Sequence, residues 1–440
     1  MNRIIRRTAA AIALAAGVQG LAHADTATTT GGLQIKSDDG NFEAGIGGRI
    51  QVDGALLQHD NDSNSLGISK GANASGFYFR RAFLTLTGKA YGFDYHVDED
   101  FAGGTTTTTA TTTTDKTTGD LATVKVASTG GAAAGFNDVW IGHDVFGNDH
   151  VYIGQHKPWR SLDELASNNV TPLMERNILS KNGIFGGRDY TQGLYYKYDV
   201  SGFWAGTSFY TDGKAGSTTG RSFGSNARFA YAPIVSKTGW LHTGLTYSFD
   251  NVSPDGDGFG KIAPGYSTWY AYKGTGATLV SFSGSTGNNV NAGTGTAELA
   301  GAIGPVFLQG EYGLTHQWEQ LGKTASVDAY SATIAYAITG ETRPYDVGSA
   351  TYGGIKPSHR YGAVELAVRY DDGRNWNDAT CALNASDKAS KCDISTLTVG
   401  VNYYVNPNVR FMLDYEDGKA DDGVKQDKPD AVMGRAQFAF

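Results

Sequence analysis

Apolar residues recur at every second position through segment after segment of this chain, and no other feature restricts its fold as much. From Val409 to Tyr415, apolar Val409, Phe411, Leu413 and Tyr415 alternate with Arg410, Met412 and Asp414. Just before, Leu397, Val399, Val401, Tyr403 and Val405 alternate with Thr398, Gly400, Asn402 and Tyr404. Leu241, Leu245, Tyr247 and Phe249 share one face; His242, Gly244, Thr246, Ser248 and Asp250 share the other. Val364, Leu366, Val368 and Tyr370 oppose Glu365, Ala367, Arg369 and Asp371 in the same way. Sixteen such segments can be placed, near 42–53, 77–90, 93–101, 136–145, 150–156, 190–199, 203–211, 222–232, 239–250, 295–304, 306–314, 326–338, 360–371, 394–405, 409–416 and 431–440. That is too many for one ordinary sandwich. The chain holds no run of 18 or more apolar residues, which excludes a helical membrane protein. Glycine at 60, tyrosine at 24 and phenylalanine at 20 suit a wall in which only alternate side chains meet lipid. The predicted fold is therefore all-β, a transmembrane antiparallel β-barrel of sixteen strands, an even number that leaves both ends in the periplasm.

The connections support this reading. Short ones fall at Tyr91 to Phe93, Phe146 to Asp149, Asp199 to Gly202, Gly304-Pro305 and Asn406 to Asn408. Long ones fall at 54–76, 102–135, 157–189, 251–294 and 372–393. Short periplasmic turns with long outer loops are expected of an outer-membrane barrel. The alternation of lengths is not kept throughout, so some boundary or strand should be misplaced. Region 251–294 is the least secure, because Ser267 to Ser283 has room for another strand pair. The threonine run from Thr105 to Thr118 cannot bury enough apolar surface to fold alone and is expected as a flexible outer loop.

The first residues are a targeting segment. Arg3, Arg6 and Arg7 precede the apolar stretch Thr8 to Val18, and Ala22-His23-Ala24 is a small-residue cleavage signature. Residues 1–24 are expected to be a signal peptide and residues 25–440 the barrel domain, whose net charge moves from −8 to −11 as three arginines leave. Such a leader implies an oxidising compartment, so Cys381 and Cys392 are candidates for a loop disulfide, two free thiols being the alternative. The chain ends Phe438-Ala439-Phe440, an aromatic last residue on an amphipathic strand, which resembles the signal read by the barrel-assembly machinery.

Several stretches resemble the phosphate-selective porin O and P family, in matching order along the chain. They are Ile46-Gly47-Gly48-Arg49-Ile50-Gln51 and Phe79-Arg80-Arg81-Ala82-Phe83-Leu84 on the first two strands, and Leu173 to Asn177 with Glu175-Arg176-Asn177 at the close of the third outer loop. Thr339 to Tyr345, Ile355-Lys356-Pro357, Gly362 to Leu366 and Arg369-Tyr370-Asp371 follow. The resemblance implies an outer-membrane homotrimer conducting small anions such as phosphate, pyrophosphate and chloride, surrounded by lipid and lipopolysaccharide. It places the long connection 339–359 on the periplasmic side. It also matches Arg49, Arg80, Arg81 and Arg176 to arginines lining the family's narrow zone.

The residues themselves give the third outer loop a charge balance of five basic to four acidic side chains, scarcely electropositive. The third outer loop, 157–189, is the natural inward-folded constriction; it carries Lys157, Arg160, Arg176, Lys181 and Arg188 against Asp163, Glu164, Glu175 and Asp189. Lys157 and Arg160 join the candidate anion site. Alternation turns Arg49 and Arg81 to the lumen and Arg80 formally outward, unless a bulge or loop end breaks the pattern. Asp53, Asp98, Glu99 and Asp100 are available as pairing partners, and pairing without transport is the alternative reading for each arginine. Phosphate-selective members carry lysines on the loop before Glu-Arg-Asn; here Ser161 to Glu175 has none, with Glu164 and Asn169 in the aligned places. A general, weakly selective diffusion porin is thus the runner-up. An outer-membrane hydrolase is the rival of another class, but no Gly-x-Ser-x-Gly elbow or His-Glu-x-x-His helix occurs. Histidines including His96, His150, His156 and His316 are expected as lumen or interface residues. Asp60-Asn61-Asp62, Asp250, Asp255 and Asp257 lack an EF-hand pattern and are expected as solvated loop acids. No catalytic residue, cofactor, metal or nucleic-acid partner is expected.

Overall fold

The structure is a computed structural model that describes residues 24–28, 33–58, 75–102, 106–114, 121–130, 135–180, 190–211, 223–252, 267–268, 277–278, 290–319, 324–376 and 392–440. Residues 1–23, Lys181, Arg188 and Cys381 lie outside them. Sixteen strands form the wall: β1 (Phe42–Gln58), β2 (Ser75–Ala90), β3 (Phe93–Asp100), β4 (Gly135–His143), β5 (Asp149–His156), β6 (Thr191–Val200), β7 (Phe203–Thr211), β8 (Phe223–Val235), β9 (Gly239–Val252), β10 (Val290–Ile303), β11 (Val306–Glu319), β12 (Thr324–Ala337), β13 (Ala363–Asn375), β14 (Asp393–Tyr404), β15 (Val409–Asp421) and β16 (Asp430–Ala439). Each pairs antiparallel with the next, and β16 pairs with β1 from Asp430↔Gln58 to Ala439↔Arg49, closing the barrel. Among the described residues no helix is long and apolar enough to cross a membrane; the strands do so.

The period-two pattern becomes the two faces of the wall. Phe209, Leu245, Leu299, Leu366, Val399 and Leu413 stand exposed on the outside, where acyl chains would cover them. Between them Trp204, Arg228, His242, Glu298, Glu311, Asn402 and Arg435 point inward and are buried. The two-residue turns Tyr91-Gly92 and Ser201-Gly202 have positive φ at both positions, the geometry that matches strand twist. Closure explains Gly47-Gly48. Gly48 exchanges backbone hydrogen bonds with Phe440, and a β-carbon there would lie 2.5 Å from Phe83 O and 2.9 Å from the Phe440 ring.

The side of each connection alternates without exception, so the misplaced strand expected from the loop lengths does not exist. The irregularity comes from lengths alone: the outer connection 320–323 is short and the periplasmic connection 338–362 is long. The region 251–294 does hold a strand pair, but Ser267–Thr268 and Ala277–Thr278 pair only with each other. The threonine run is drawn into a ribbon, Thr106–Thr114 against Leu121–Gly130, rather than left as an irregular loop; β-branched residues favour that extended form. Two further short strands, Ala24–Thr28 and Leu33–Ser37, form a hairpin that extends the sheet beside the periplasmic end of β1. Cys392, just before β14, is buried and disulfide-bonded.

Candidate functional site: an arginine cluster beside an inward loop

Two segments fill the lumen. The outer loop between β5 and β6 folds inward through a short helix, Leu162–Leu165, capped by Ser161 Oγ. Its backbone is fastened to the far wall from β8 round to β16. Carboxylates take its N–H groups: Asp163 N donates to Glu311 at 2.7 Å, Met174 N to Asp414 at 2.7 Å, and Leu162 N to Glu298. Cations and amides take its carbonyls: Arg410 reaches Thr171 O, Asn402 reaches Pro172 O, Arg435 reaches Met174 O and Arg369 reaches Glu175 O, each at 2.7 Å. A buried backbone must find such partners, and here the wall supplies them.

The periplasmic connection enters from the other mouth. Trp240 donates to Arg343 O at 2.7 Å, and Lys197 and Trp204 donate to Gly348 O at 2.9 and 3.2 Å. Arg228 donates to Ala350 O at 3.0 Å. Arg343 pairs with Glu365 at 2.6 Å and donates to Val170 O, so the two inserts meet. In its stem, burial opposes ionisation of Glu341, but hydrogen bonds from Thr339 and Ser358 hold its carboxyl below the usual range.

An arginine cluster stands on the wall of β16, β1 and β2. Arg49, Arg80 and Arg435 each stand within electrostatic reach of Arg81. The register slips between Gln51↔Arg81 and Val52↔Phe79, so Arg80 is the extra residue of a bulge. It turns inward and grips Glu175 through two hydrogen bonds of 3.0 and 3.1 Å. Arg435 grips Asp53 through two bonds of 2.7 Å and also reaches Glu175 at 3.2 Å. Among the described residues, Arg81 donates only to the neutral Gln51 Oε1 at 3.0 Å. Arg49 donates to Ser167 Oγ at 3.3 Å and lies 4.0 Å over the Phe83 ring. Neither Arg49 nor Arg81 forms an ion pair with a carboxylate among the described residues. Asp98 and Asp100 lie farther off, within electrostatic reach of Arg49. Arg176, on the loop, donates to Ala166 O at 2.7 Å and stands 3.8 Å from Asp163. Below, a cavity of about 300 Å³ is lined by Arg49, Thr85, Thr87, His96, Asp98 and Asn169 among others.

The remaining candidates sit elsewhere. Lys157 Nζ is 3.3 Å from Glu164 and lies over the Tyr190 ring. Arg160 is buried against Tyr210 at 3.0 Å and Asp250 at 3.5 Å. Burial disfavours its charge, yet Tyr210 and Asp250 hold its pKa above the ordinary arginine value. The sequence pairs Asp53 with no particular arginine; its partner is Arg435, which sequence reasoning missed along with the lumen roles of Arg228, Arg343, Arg369 and Arg410. Their one legible signal is an arginine at an inward position of an alternating strand, and that signal cannot say what fills the lumen beside it.

The sequence profile of the phosphate-selective porin O and P family matches residues 46–440. Porin O of Pseudomonas aeruginosa is 27% identical over 98% of this chain and 98% of that protein. Among solved structures, the anion-selective porin from Comamonas acidovorans superposes with a TM-score of 0.53 at 12% identity, over 91% of this chain and 100% of that one. The outer-membrane protein OmpT of Vibrio cholerae superposes at 0.54 with 10% identity, over 92% and 100%; it has also been solved in a trimer form.

Proposed function

The chain belongs to the phosphate-selective porin O and P family, outer-membrane barrels that conduct anions, and from that premise we propose that phosphate- and pyrophosphate-type ions, with chloride, pass through a narrow zone formed by Arg49, Arg81 and Arg176. One observation carries the reading. Among the described residues, the four clustered guanidinium groups are directly paired with two carboxylates, Asp53 and Glu175, so positive charge is left over. An oxyanion entering a narrow zone must shed hydration, and guanidinium donors replace the lost waters with charge-assisted, often bidentate bonds. Several spaced donors let the ion move on without being trapped. Lys157 and Arg160, each already facing an acid, hold the loop in this reading. Asp98 and Asp100 near Arg49, and the lack of lysines between Ser161 and Glu175, make the site a weaker phosphate binder than a lysine-rich one.

The test is reconstitution into planar bilayers. A chloride gradient should give an anion-selective reversal potential, and added phosphate should block chloride current. A cation-selective potential overturns the reading. Native mass spectrometry of the detergent-extracted protein should find three copies, as the proposed homotrimer requires. A hydrolytic role is left out: the His316–Ser326 hydrogen bond of 2.8 Å lies on the outer face, and among the described residues no carboxylate orients His316. Phospholipid hydrolysis lost in Ser326→Ala would reverse that.

A further inference from the structure

We propose that His96, Asp98 and Asp138 form a binding site for a divalent transition-metal ion of the zinc class, in the wall beside the arginine cluster. The sequence makes His96 and Asp98 neighbours on one face of β3, two residues apart. A register shift between Val97↔Val139 and Glu99↔Phe136 brings Asp138 of β4 to the same spot. The ligating atoms of all three lie within 4.8 Å of one another.

Each group is oriented from behind. Asp98 Oδ1 accepts from the Thr85 hydroxyl, which leaves Oδ2 turned towards His96. Asp138 is engaged by His156 Nδ1. The His96 ring is stacked on Trp140 with centroids 5.4 Å apart. Supporting contacts of this kind fix metal ligands. His96 Nε2 is buried and has no hydrogen-bond partner among the described residues. It stands 3.6 Å from Asp98 Oδ2, too far for a hydrogen bond. Two ligands of one tetrahedral zinc, with bonds of ~2.1 Å, stand about 3.4 Å apart. The spacing thus suits a shared cation better than a simple pair. One imidazole and two carboxylates suit zinc-class ions; calcium would need six or more oxygens.

The site adjoins the cavity that Arg49, His96 and Asp98 share. Asp98 is one of the acids that oppose Arg49. A bound divalent cation would cancel that opposition and strengthen the pull on anions. This consequence rests on the anion reading; the binding itself does not.

The experiment titrates chelator-stripped, untagged full-length protein in detergent with ZnCl₂ by calorimetry. One saturable Zn²⁺ per chain is expected, with affinity reduced at least about tenfold in His96→Gln and in Asp138→Asn. Asp144→Asn, in the separate Asp94, Asp144 and His150 cluster, should bind as the parent does. Heat-modifiable electrophoretic mobility confirms that each variant is a folded barrel. Absence of saturable binding, or binding lost in Asp144→Asn and kept in His96→Gln, overturns the site. In bilayers, Zn²⁺ should raise anion selectivity in the parent and not in His96→Gln. Binding with an unmoved reversal potential overturns the electrostatic consequence alone, while a cation-selective channel without Zn²⁺ overturns the anion reading alone.

Discussion

Arg435 and Arg81 flank the same strand, β1, from its two sides, yet their surroundings differ. Arg435 on β16 meets Asp53 twice, Met174 O and Glu175. Arg81 on β2 meets one neutral amide oxygen. Alternation sends both inward, and their residue type is the same. The difference lies in what the lumen holds beside each. From β8 round to β16 the two inserts press against the wall, and inward cations are consumed in holding backbone carbonyls and buried acids. Along β1 to β3 a cavity remains, and among the described residues Arg49 and Arg81 form no ion pair with a carboxylate there. A porin arginine is therefore judged by its partners and not by the direction of its strand.

Removing Arg435 should break this contrast most severely. In Arg435→Ala, buried Asp53 loses its partner, and breaking such a pair costs about 3–5 kcal/mol. The loop also loses its anchor at Met174. A lower thermal transition for heat-modifiable migration is expected, with larger and noisier single-channel conductance; parental stability would place the loop's hold elsewhere. Arg81→Ala should do the opposite. Stability should change by at most about 1.5–3 kcal/mol, the worth of one hydrogen bond made by a charged group, while the anion-to-cation permeability ratio falls several-fold and phosphate block weakens. Unchanged selectivity in both Arg81→Ala and Arg49→Ala would remove them from the ion's path. The smallest effect belongs to Glu341. Its folded pKa is lowered, so its contribution is complete above the unfolded-state pKa and is lost as pH falls through the folded one. Glu341→Gln should flatten that acid dependence, measured as the thermal transition against pH, with less than about 1 kcal/mol lost at neutral pH.

The wall was legible because lipid and water impose a period of two on every strand, and the sixteen segments read from Phe42 to Phe440 coincide with the sixteen strands. Where a local event overrides the period, reading fails: the bulge at Arg80 turns inward a side chain that alternation sends out. The interior was legible only in outline. The third loop announces itself by length and charge, but nothing in Asn402 or Glu298 says that it will hold Pro172 O or Leu162 N. Those contacts join residues more than a hundred positions apart, and they follow from how the inserts fold, which no strand pattern encodes. The entry of 338–362 into the lumen escaped notice for the same reason, although Gly353, Gly354 and Tyr352 make its tight fit possible.

Val170 sits where the outer insert touches the inner one. Arg343 donates to its carbonyl, and a β-carbon on Gly354 would lie 3.1 Å from its Cγ1. The outer loop and the periplasmic connection are thus joined at this residue by a hydrogen bond and a close contact. Displacing one insert is therefore expected to disturb the other, and cysteine labelling at the two mouths should find their accessibility changing together.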